Sequence, residues 1–197
     1  MAAGGRSDPP RDVPDESRAA DSRAAFLQAI PAALQHREDN IPKLVAADNS
    51  SSRSKLRKIY RIADEMLQHA ASHVACHDGC ASCCKMNVQI TGEEAAAIER
   101  ATGRLARTIA SSMPHASGEY NGIPCPFLVD ERCSIYEHRP LACRMHVSFY
   151  SNAYWCHPER NLSHPAPMVK FEGLTEALSK IGARQKSFFA DIRDFFG

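Results

Sequence analysis

Apolar residues recur at three- and four-residue intervals over two long stretches in the first half of the chain. This spacing places them on one face of a helix. The first stretch runs from Asp21 to about Gln35, where Pro31 must lie near a helix start or at a kink. The second follows a candidate N-cap among Ser50–Ser52 and predicts a long amphipathic helix that runs into Cys76. Its apolar positions are Leu56, Ile59, Ala63, Met66, Leu67, Ala70 and Val74.

The middle of the chain predicts a short strand followed by two helices. Residues 86–90 alternate between apolar and polar side chains, which is typical of a strand. Residues 91–94, Thr-Gly-Glu-Glu, have the pattern of a capping box and predict a helix that ends near Thr102, before Gly103. A further short helix is predicted over residues 105–112.

Short apolar segments replace the helical spacing between Cys125 and Arg144. Two of them, joined by Asp130-Glu131-Arg132, predict a small hairpin with too little apolar surface to be stable without a bound metal. Helical spacing then returns and predicts a C-terminal helix that packs on the domain or on a protein partner. Its apolar stripe comprises Leu174, Leu178, Ile181, Phe188, Ile192 and Phe195, and Phe189 and Phe196 widen it.

These elements predict a mainly α fold with a small irregular or two-stranded element at residues 76–144. Residues 21–197 are predicted to form one helical domain, and residues 1–20, which are poor in large apolar side chains, a disordered tail. The net charge of +1 gives no general attraction to nucleic acid or to an anionic membrane. No signal-like start and no stretch of about 20 apolar residues is present, so we expect a cytoplasmic protein.

Eight cysteines, mostly concentrated in two clusters, are the strongest chemical signal in the sequence. In a reducing cytoplasm this pattern favours metal binding or catalysis over disulfides, which are the alternative. The first cluster, Cys76-His77-Asp78-Gly79-Cys80-Ala81-Ser82-Cys83-Cys84, holds four thiols whose spacing lets them converge on zinc or on iron–sulfur chemistry. The second cluster comprises Cys125, Cys133 and Cys143.

The chain around Cys143 contains two arginines with predicted roles. The Arg-Pro step at Arg139 disfavours helix and turns the chain back, so that Cys143 can approach Cys133. The guanidinium of Arg144 would lower the pKa of the Cys143 thiol and stabilise a metal–thiolate centre. An ordinary surface ion pair of Arg144 is an equally good interpretation.

The combined signature resembles the YkgJ-type cysteine cluster family, the CxxCxxCC family described as putative zinc- or iron-chelating proteins. The resemblance rests on Cys-x3-Cys-x2-Cys-Cys followed by Cys-Pro-Phe-Leu, Cys-Ser-Ile-Tyr-x2-Arg-Pro and Cys-Arg, and it covers roughly residues 76–144. It implies zinc or iron, including an iron–sulfur cluster, as the cofactor, and it implies no particular reaction. The metal ligands that it implies are Cys76, Cys80, Cys83, Cys84, Cys125, Cys133 and Cys143.

The sequence departs from the family in its details. Residues 130–132 contain no glycine where the family often has one, and the spacing of Cys76 is loose. Cys156 lies outside the matched region and is predicted to be an ordinary buried thiol rather than an extra ligand. His77 and His146 each lie within three residues of a predicted ligand and are the histidines that could join the site.

Seven thiols exceed the four that one tetrahedral zinc takes. The choices are a four-cysteine site with spare thiols, two metals, or an iron–sulfur cluster. Because neighbouring side chains diverge, either Cys83 or Cys84 could serve a second metal or stay free as a redox thiol. The predicted function is metal binding through clustered thiolates.

The alternative is an iron–sulfur-dependent redox or methyl-transfer enzyme, or an accessory of one. The Cys76-x3-Cys80-x2-Cys83 spacing is similar to that of radical S-adenosylmethionine enzymes, and the flagellin lysine methylase resembles this chain in its cysteine signature. However, Ser82 stands where radical enzymes have an aromatic residue, and no βα repeats are predicted. The chain is also short for the methylase's additional machinery.

Overall fold

The computed structural model describes residues 16–77, 79–163, 167–181 and 188–197, and the fold is mainly α, which confirms the predicted class. The α-helices are α1 (Glu16–Ala29), α2 (Ala32–Ala47), α3 (Ser52–Leu67), α4 (Gly92–Thr102), α5 (Leu141–Met145), α6 (Pro158–Asn161), α7 (Glu172–Ile181) and α8 (Ile192–Phe196). The strands are β1 (Gln89–Thr91), β2 (Leu128–Val129), β3 (Arg132–Cys133) and β4 (Phe189–Asp191). Short 3-10 turns cover Gln68–Ala70, Ser82–Lys85, Tyr136–His138 and Ala153–Cys156.

The N-terminal helices begin and end at the residues that favour a break. Pro31 separates α1 from α2, and the hydroxyl of Ser51 caps α3 by accepting the N–H of Ser54 at 3.3 Å. α1 begins at Glu16, inside the stretch predicted as a tail, whereas the rest of that tail lies outside the described residues. The predicted helix into Cys76 is too long, because α3 ends at Leu67 and continues only as a 3-10 turn.

The larger of two apolar cores lies between α1, α2, α3 and α7. Phe26, Ile59 and Leu174 are fully buried there. α2 and α7 approach closely at Gly173, where a Cβ would meet the carbonyl oxygen of Glu38 at 2.1 Å. The buried carboxylate of Glu38 also accepts the N–H of Leu174 at 2.9 Å, which satisfies a donor at the start of α7.

The smaller core joins the middle of the chain to its C-terminal segment. β1 pairs antiparallel with β4, so that Ile90 lies opposite Ala190. Ile90 packs in a cluster that includes Ile98 of α4 and Phe195 and Phe196 of α8. The predicted alternation over residues 86–90 and the capping box of Thr91 and Glu94 are confirmed.

Two helix predictions are wrong. Residues 105–112 are irregular rather than helical, and the N–H of Arg107 donates to the carbonyl of Phe195 in the C-terminal segment at 2.8 Å. The predicted C-terminal helix is divided into α7, β4 and α8, and residues 182–187 within it lie outside the described residues.

The phenylalanine side chains at the C-terminus are largely buried in the smaller core. Phe195 and Phe196 are each 2% exposed. The apolar surface on which we expected a protein partner is therefore mostly covered by the chain itself, and the partner stays a prediction. In the described part of the chain, no helix has both the length and the apolar character that a membrane span needs.

Candidate metal centre

One cavity collects the seven cysteines that the sequence predicts as ligands. The cavity has a volume of ≈ 530 Å³ and lies where the first cysteine cluster, the β2–β3 hairpin and α5 meet. It is lined by Cys76, Cys80, Cys83, Cys84, Cys125, Cys133 and Cys143. The two cysteine clusters are therefore adjacent in space although about 40 residues separate them in the chain.

The thiols are all reduced, and none forms a disulfide. Among the described residues, no three His, Cys, Asp or Glu side chains are arranged so that they could hold a metal ion as they stand. The donor set itself fits zinc or iron, because thiolates are ligands of both, and free thiols that line one cavity can turn about a single side-chain torsion. The chemistry of the cavity thus suits a thiophilic metal, and binding requires side-chain rotation.

Four of the thiols form a group that we call the hairpin set: Cys84, Cys125, Cys133 and Cys143. The backbone N–H of Cys125 donates to the carbonyl of Cys84 at 2.7 Å, which joins the two cysteine clusters. The thiol of Cys133 hydrogen-bonds to that of Cys84. Burial raises the pKa of the Cys143 thiol well above its ordinary value, and the thiols of Cys125, Cys84 and Cys133 raise it further. These four sulfur atoms are mutual neighbours.

Three other thiols form a second group, the loop set: Cys76, Cys80 and Cys156. Cys76 neighbours Cys80 and Cys156, and Cys156 neighbours Cys80. The sulfur of Cys76 accepts the N–H of Ser148 at 3.4 Å. The hydroxyl of Ser148 is buried beside the Cys156 thiol without an ordinary hydrogen bond. The structure therefore brings Cys156, which we predicted to be an isolated buried thiol, next to two predicted ligands.

Cys83 lies at the boundary of the two sets. The Cys84 thiol accepts a hydrogen bond from Cys133, which favours its thiolate, but its own hydrogen bond to Cys83 and burial outweigh this and raise the pKa of Cys84 to about 12. Both adjacent cysteines lie on the 3-10 turn Ser82–Lys85. Cys84 belongs to the hairpin set, and the turn that carries Cys83 also packs against the turn Ala153–Cys156, which carries Cys156 of the loop set.

The turn of the hairpin contains no glycine, although the related family often has one there. Asp130 and Glu131 connect β2 to β3 with φ values of 48° and 55°, which lie in the left-handed region that favours glycine. The chain accepts this conformation without a glycine, and the exposed carboxylate of Glu131 pairs with Lys85 at 2.8 Å. The pair links the hairpin to the turn that carries Cys83 and Cys84.

α5 carries Cys143 and is fixed by a buried carboxylate. Glu94 is 1% exposed, and it accepts the N–H of Leu141 at 2.8 Å and the hydroxyl of Tyr60 at 2.9 Å. Leu141 is the first residue of α5, so Glu94 ties this short helix to α3 and α4.

Arg144 has a different role from the functional one predicted. Its guanidinium pairs with Asp64, donates to the carbonyls of Arg139 and Glu137, and stacks on the ring of Tyr60. These contacts direct its charge toward α3. The ion-pair interpretation is therefore the correct one, although the pair is partly buried rather than on the surface.

Two other arginines place positive charge near the hairpin set. Arg139 acts on Cys133, and Arg193 acts on Cys125, in each case lowering the pKa against the larger effects that raise it. Arg139 belongs to the Arg-Pro motif, so the sequence offered a signal for it. Arg193 lies about 50 residues beyond Cys143, and no local pattern marks it.

Arg193 also holds the backbone of the site. Its guanidinium donates to the carbonyl of Cys84 at 3.3 Å and to the carbonyl of Ile123 at 2.5 Å. The carboxylate of Asp191 accepts from Arg193 at 2.8 Å and from the N–H of Val88 at 2.6 Å. Asp191 and Arg193 thus support the backbone around both cysteine clusters without lining the cavity themselves.

Two histidines line the cavity, His77 and His146, and they are the two that the sequence singled out. Burial lowers the pKa of His146, which favours the neutral imidazole that metals bind. Neither completes a group able to hold an ion in the present arrangement.

Comparison with known proteins agrees with the cysteine pattern. Residues 75–159 match the model of the CxxCxxCC family, described as a putative zinc- or iron-chelating domain. The match extends beyond residue 144, where we predicted it to end, and it includes Cys156. No curated protein and no solved structure matches the chain. The family resemblance drawn from the cysteine spacing is confirmed, and the match covers residues 75–159.

Proposed function

We propose that the protein binds zinc or iron through two neighbouring groups of cysteine thiolates. The observation that carries the proposal is that the seven predicted ligands line one cavity as free thiols, with Cys156 beside them. The hairpin set supplies Cys84, Cys125, Cys133 and Cys143, the number of ligands in a closed structural zinc site. The loop set supplies Cys76, Cys80 and Cys156, and Cys83 is the candidate fourth ligand because its turn packs against that of Cys156.

The division into two sets would give adjacent Cys83 and Cys84 separate roles. Their free thiols hydrogen-bond to each other, and metal binding would turn Cys84 toward the hairpin set and Cys83 toward the loop set. A bound ion would add a cross-link between the chain segments that carry these cysteines. The protein residues hold the thiols in place: Arg193 and Asp191 fix the backbone, and Glu94 fixes α5.

Metal analysis of protein purified without air tests the proposal directly. We expect about two metal ions per chain, either as zinc without a visible absorption band, or as iron. Iron together with acid-labile sulfide and a visible band would identify an iron–sulfur cluster and favour the redox or methyl-transfer alternative. Protein that contains neither zinc nor iron, and takes up neither after reduction, would disprove the proposal.

Serine variants separate the two groups. Cys133→Ser should lose the metal of the hairpin set and retain the other, whereas Cys80→Ser and Cys156→Ser should do the reverse. Ser82→Ala, in the same turn as Cys83, is the matched control and should retain both. If Cys80→Ser melts like the parent and keeps all its metal, Cys80 is not a ligand. Equal loss of all metal in each cysteine variant would indicate one joint centre rather than two.

A further inference from the structure

A second cavity lies between α3 and α4, on the other side of Arg144 from the cysteines. It has a volume of ≈ 810 Å³, within the range of small-molecule sites. Leu56 and Tyr60 of α3 and Ala97 of α4 form part of its wall, and Glu137 and His138 of a 3-10 turn contribute another part. Arg144 lines both cavities.

Positive charge is concentrated around this cavity although the whole chain is nearly neutral. The carboxylates of Asp64 and Glu65, which also line it, are already paired with Arg144 and Arg37 respectively. Glu137 is a third, exposed carboxylate. The cationic side chains in its wall are Arg53, Arg57, Lys58, Arg61, Arg100 and Arg144.

Three of these arginines have no ion pair or hydrogen bond to any residue that the structure describes. They are Arg53 and Arg57, one turn apart on α3, and Arg100 on α4. Like charges at this spacing destabilise a helix by about 0.2–0.5 kcal/mol. Arg53 and Arg57 also lie in the half of α3 where the helix dipole favours anions, and its first turn has no acidic residue. Helix stability therefore does not account for these two charges, whereas Arg100 lies in the last turn of α4, where the dipole favours a cation.

We propose that this cavity binds a small molecule with two or more linked phosphate groups. The planar guanidinium fork suits phosphate oxygens, which it can bind in pairs, and three uncommitted forks face one cavity from two helices. The partly buried side chains of Tyr60 and Ala97 add apolar surface against which the rest of the molecule can pack. The size of the cavity and the chain's net charge of +1 favour a small molecule over nucleic acid. This proposal does not depend on metal binding.

Calorimetry with pyrophosphate and with ATP tests the proposal on the full-length protein. We expect both to bind, with ATP tighter if the apolar wall contributes. Arg57→Gln and Arg100→Gln should each weaken pyrophosphate binding about tenfold, as expected for a charge-assisted hydrogen bond. Lys55→Gln removes the same charge from α3 outside the cavity and is the matched control, which should bind like the parent.

Several results would overturn the proposal. Absence of pyrophosphate and ATP binding at millimolar concentration would do so directly. Equal weakening by Lys55→Gln and Arg57→Gln would indicate general charge attraction rather than a site. Because pyrophosphate can also bind metals, binding that persists unchanged in both arginine variants would assign it to the cysteine cavity. Tighter binding of a short RNA, reduced equally by all three substitutions, would also contradict a small-molecule site.

Discussion

Glu131 occupies a backbone conformation that a side chain disfavours, in the turn that delivers Cys133. We predict that Glu131→Gly is more stable than Glu131→Ala by about 1 kcal/mol, because only glycine adopts a positive φ without steric cost. Both substitutions remove the ion pair with Lys85, so their comparison isolates the backbone. Urea denaturation of the two variants measures the difference. Equal stability would mean that the turn is not strained by its side chain.

Glu94 is the buried residue on which the position of α5 depends. Each of its carboxylate oxygens accepts a backbone N–H, from Leu141 or from Thr91 at 3.0 Å. The amide nitrogen of Glu94→Gln must face one of these donors, so we predict a loss of about 1–3 kcal/mol in the free energy of unfolding. Tyr60→Phe, which removes one donor and leaves both N–H bonds intact, should cost about 1 kcal/mol or less. A larger loss for Tyr60→Phe than for Glu94→Gln would contradict this assignment.

At the scale of elements, the segment formed by β4 and α8 supports the cysteine cavity although it lies outside the family match. We predict that Arg193→Met lowers metal affinity about tenfold or more, as for other residues that orient metal ligands. Arg193→Lys, which keeps the charge but not the fork, should recover part of the affinity. Competition with a chromogenic chelator measures both values.

A purely structural role of Arg193 would give a different result. In that case the two variants would lower the melting temperature but bind metal, once folded, as tightly as the parent. Measurement of affinity well below the melting temperature of each variant separates the two effects.

The irregular segment after α4 is attached to α8 by a pH-sensitive contact between His115 and Asp194. Hydrogen bonds to Glu119 and Asp194 raise the pKa of His115, and the Tyr120 ring packs against it. A raised folded-state pKa means that this contribution is present below about pH 6.5 and is lost as the pH rises through the folded value. His115→Gln should therefore be less stable than the parent near pH 6 and close to it at pH 9. Thermal melts across this range provide the check, and a constant difference would refute it.

Local sequence signals predicted the elements that local chemistry determines. Ser51, Pro31 and the Thr91–Glu94 box mark helix ends through their own side chains, and the structure has those ends. Residues 105–112 were predicted as a helix and are irregular. The N–H of Arg107 instead pairs with Phe195, 88 positions later, which no window along the sequence reveals. The pairing of β1 with β4 could not be predicted for the same reason, because the two strands lie far apart in the sequence.

The site was predictable in its main ligands and not in its support. The spacing of clustered cysteines is visible in the sequence, and the seven predicted ligands line one cavity. Cys156 stands alone in the sequence, so its place beside Cys76 and Cys80 depends on the fold of residues 145–156. Arg144 looked like the partner of Cys143 because it is adjacent, but Asp64 and Tyr60 hold it on the other side.

At the scale of the whole molecule, the two cores should respond differently to metal. The larger core of α1, α2, α3 and α7 contains no cysteine, whereas the smaller one includes Cys125 and packs against Cys84, Cys133 and Cys143. We predict that metal removal increases hydrogen exchange in residues 125–135 and 188–197, and leaves α2 and α7 protected. Mass spectrometry of the protein before and after chelation measures this. Uniform loss of protection would show that the cores unfold together.

The pairing of β1 with β4 sets the order in which the protein can be completed on the ribosome. Arg193 emerges about 50 residues after Cys143, which corresponds to roughly three to ten seconds at usual translation rates. Throughout that interval the thiols have been synthesised, but the residues that brace their backbone do not yet exist. Until Arg193 has been added, the thiols of the newly made chain are therefore more open to oxidants and to the wrong metal.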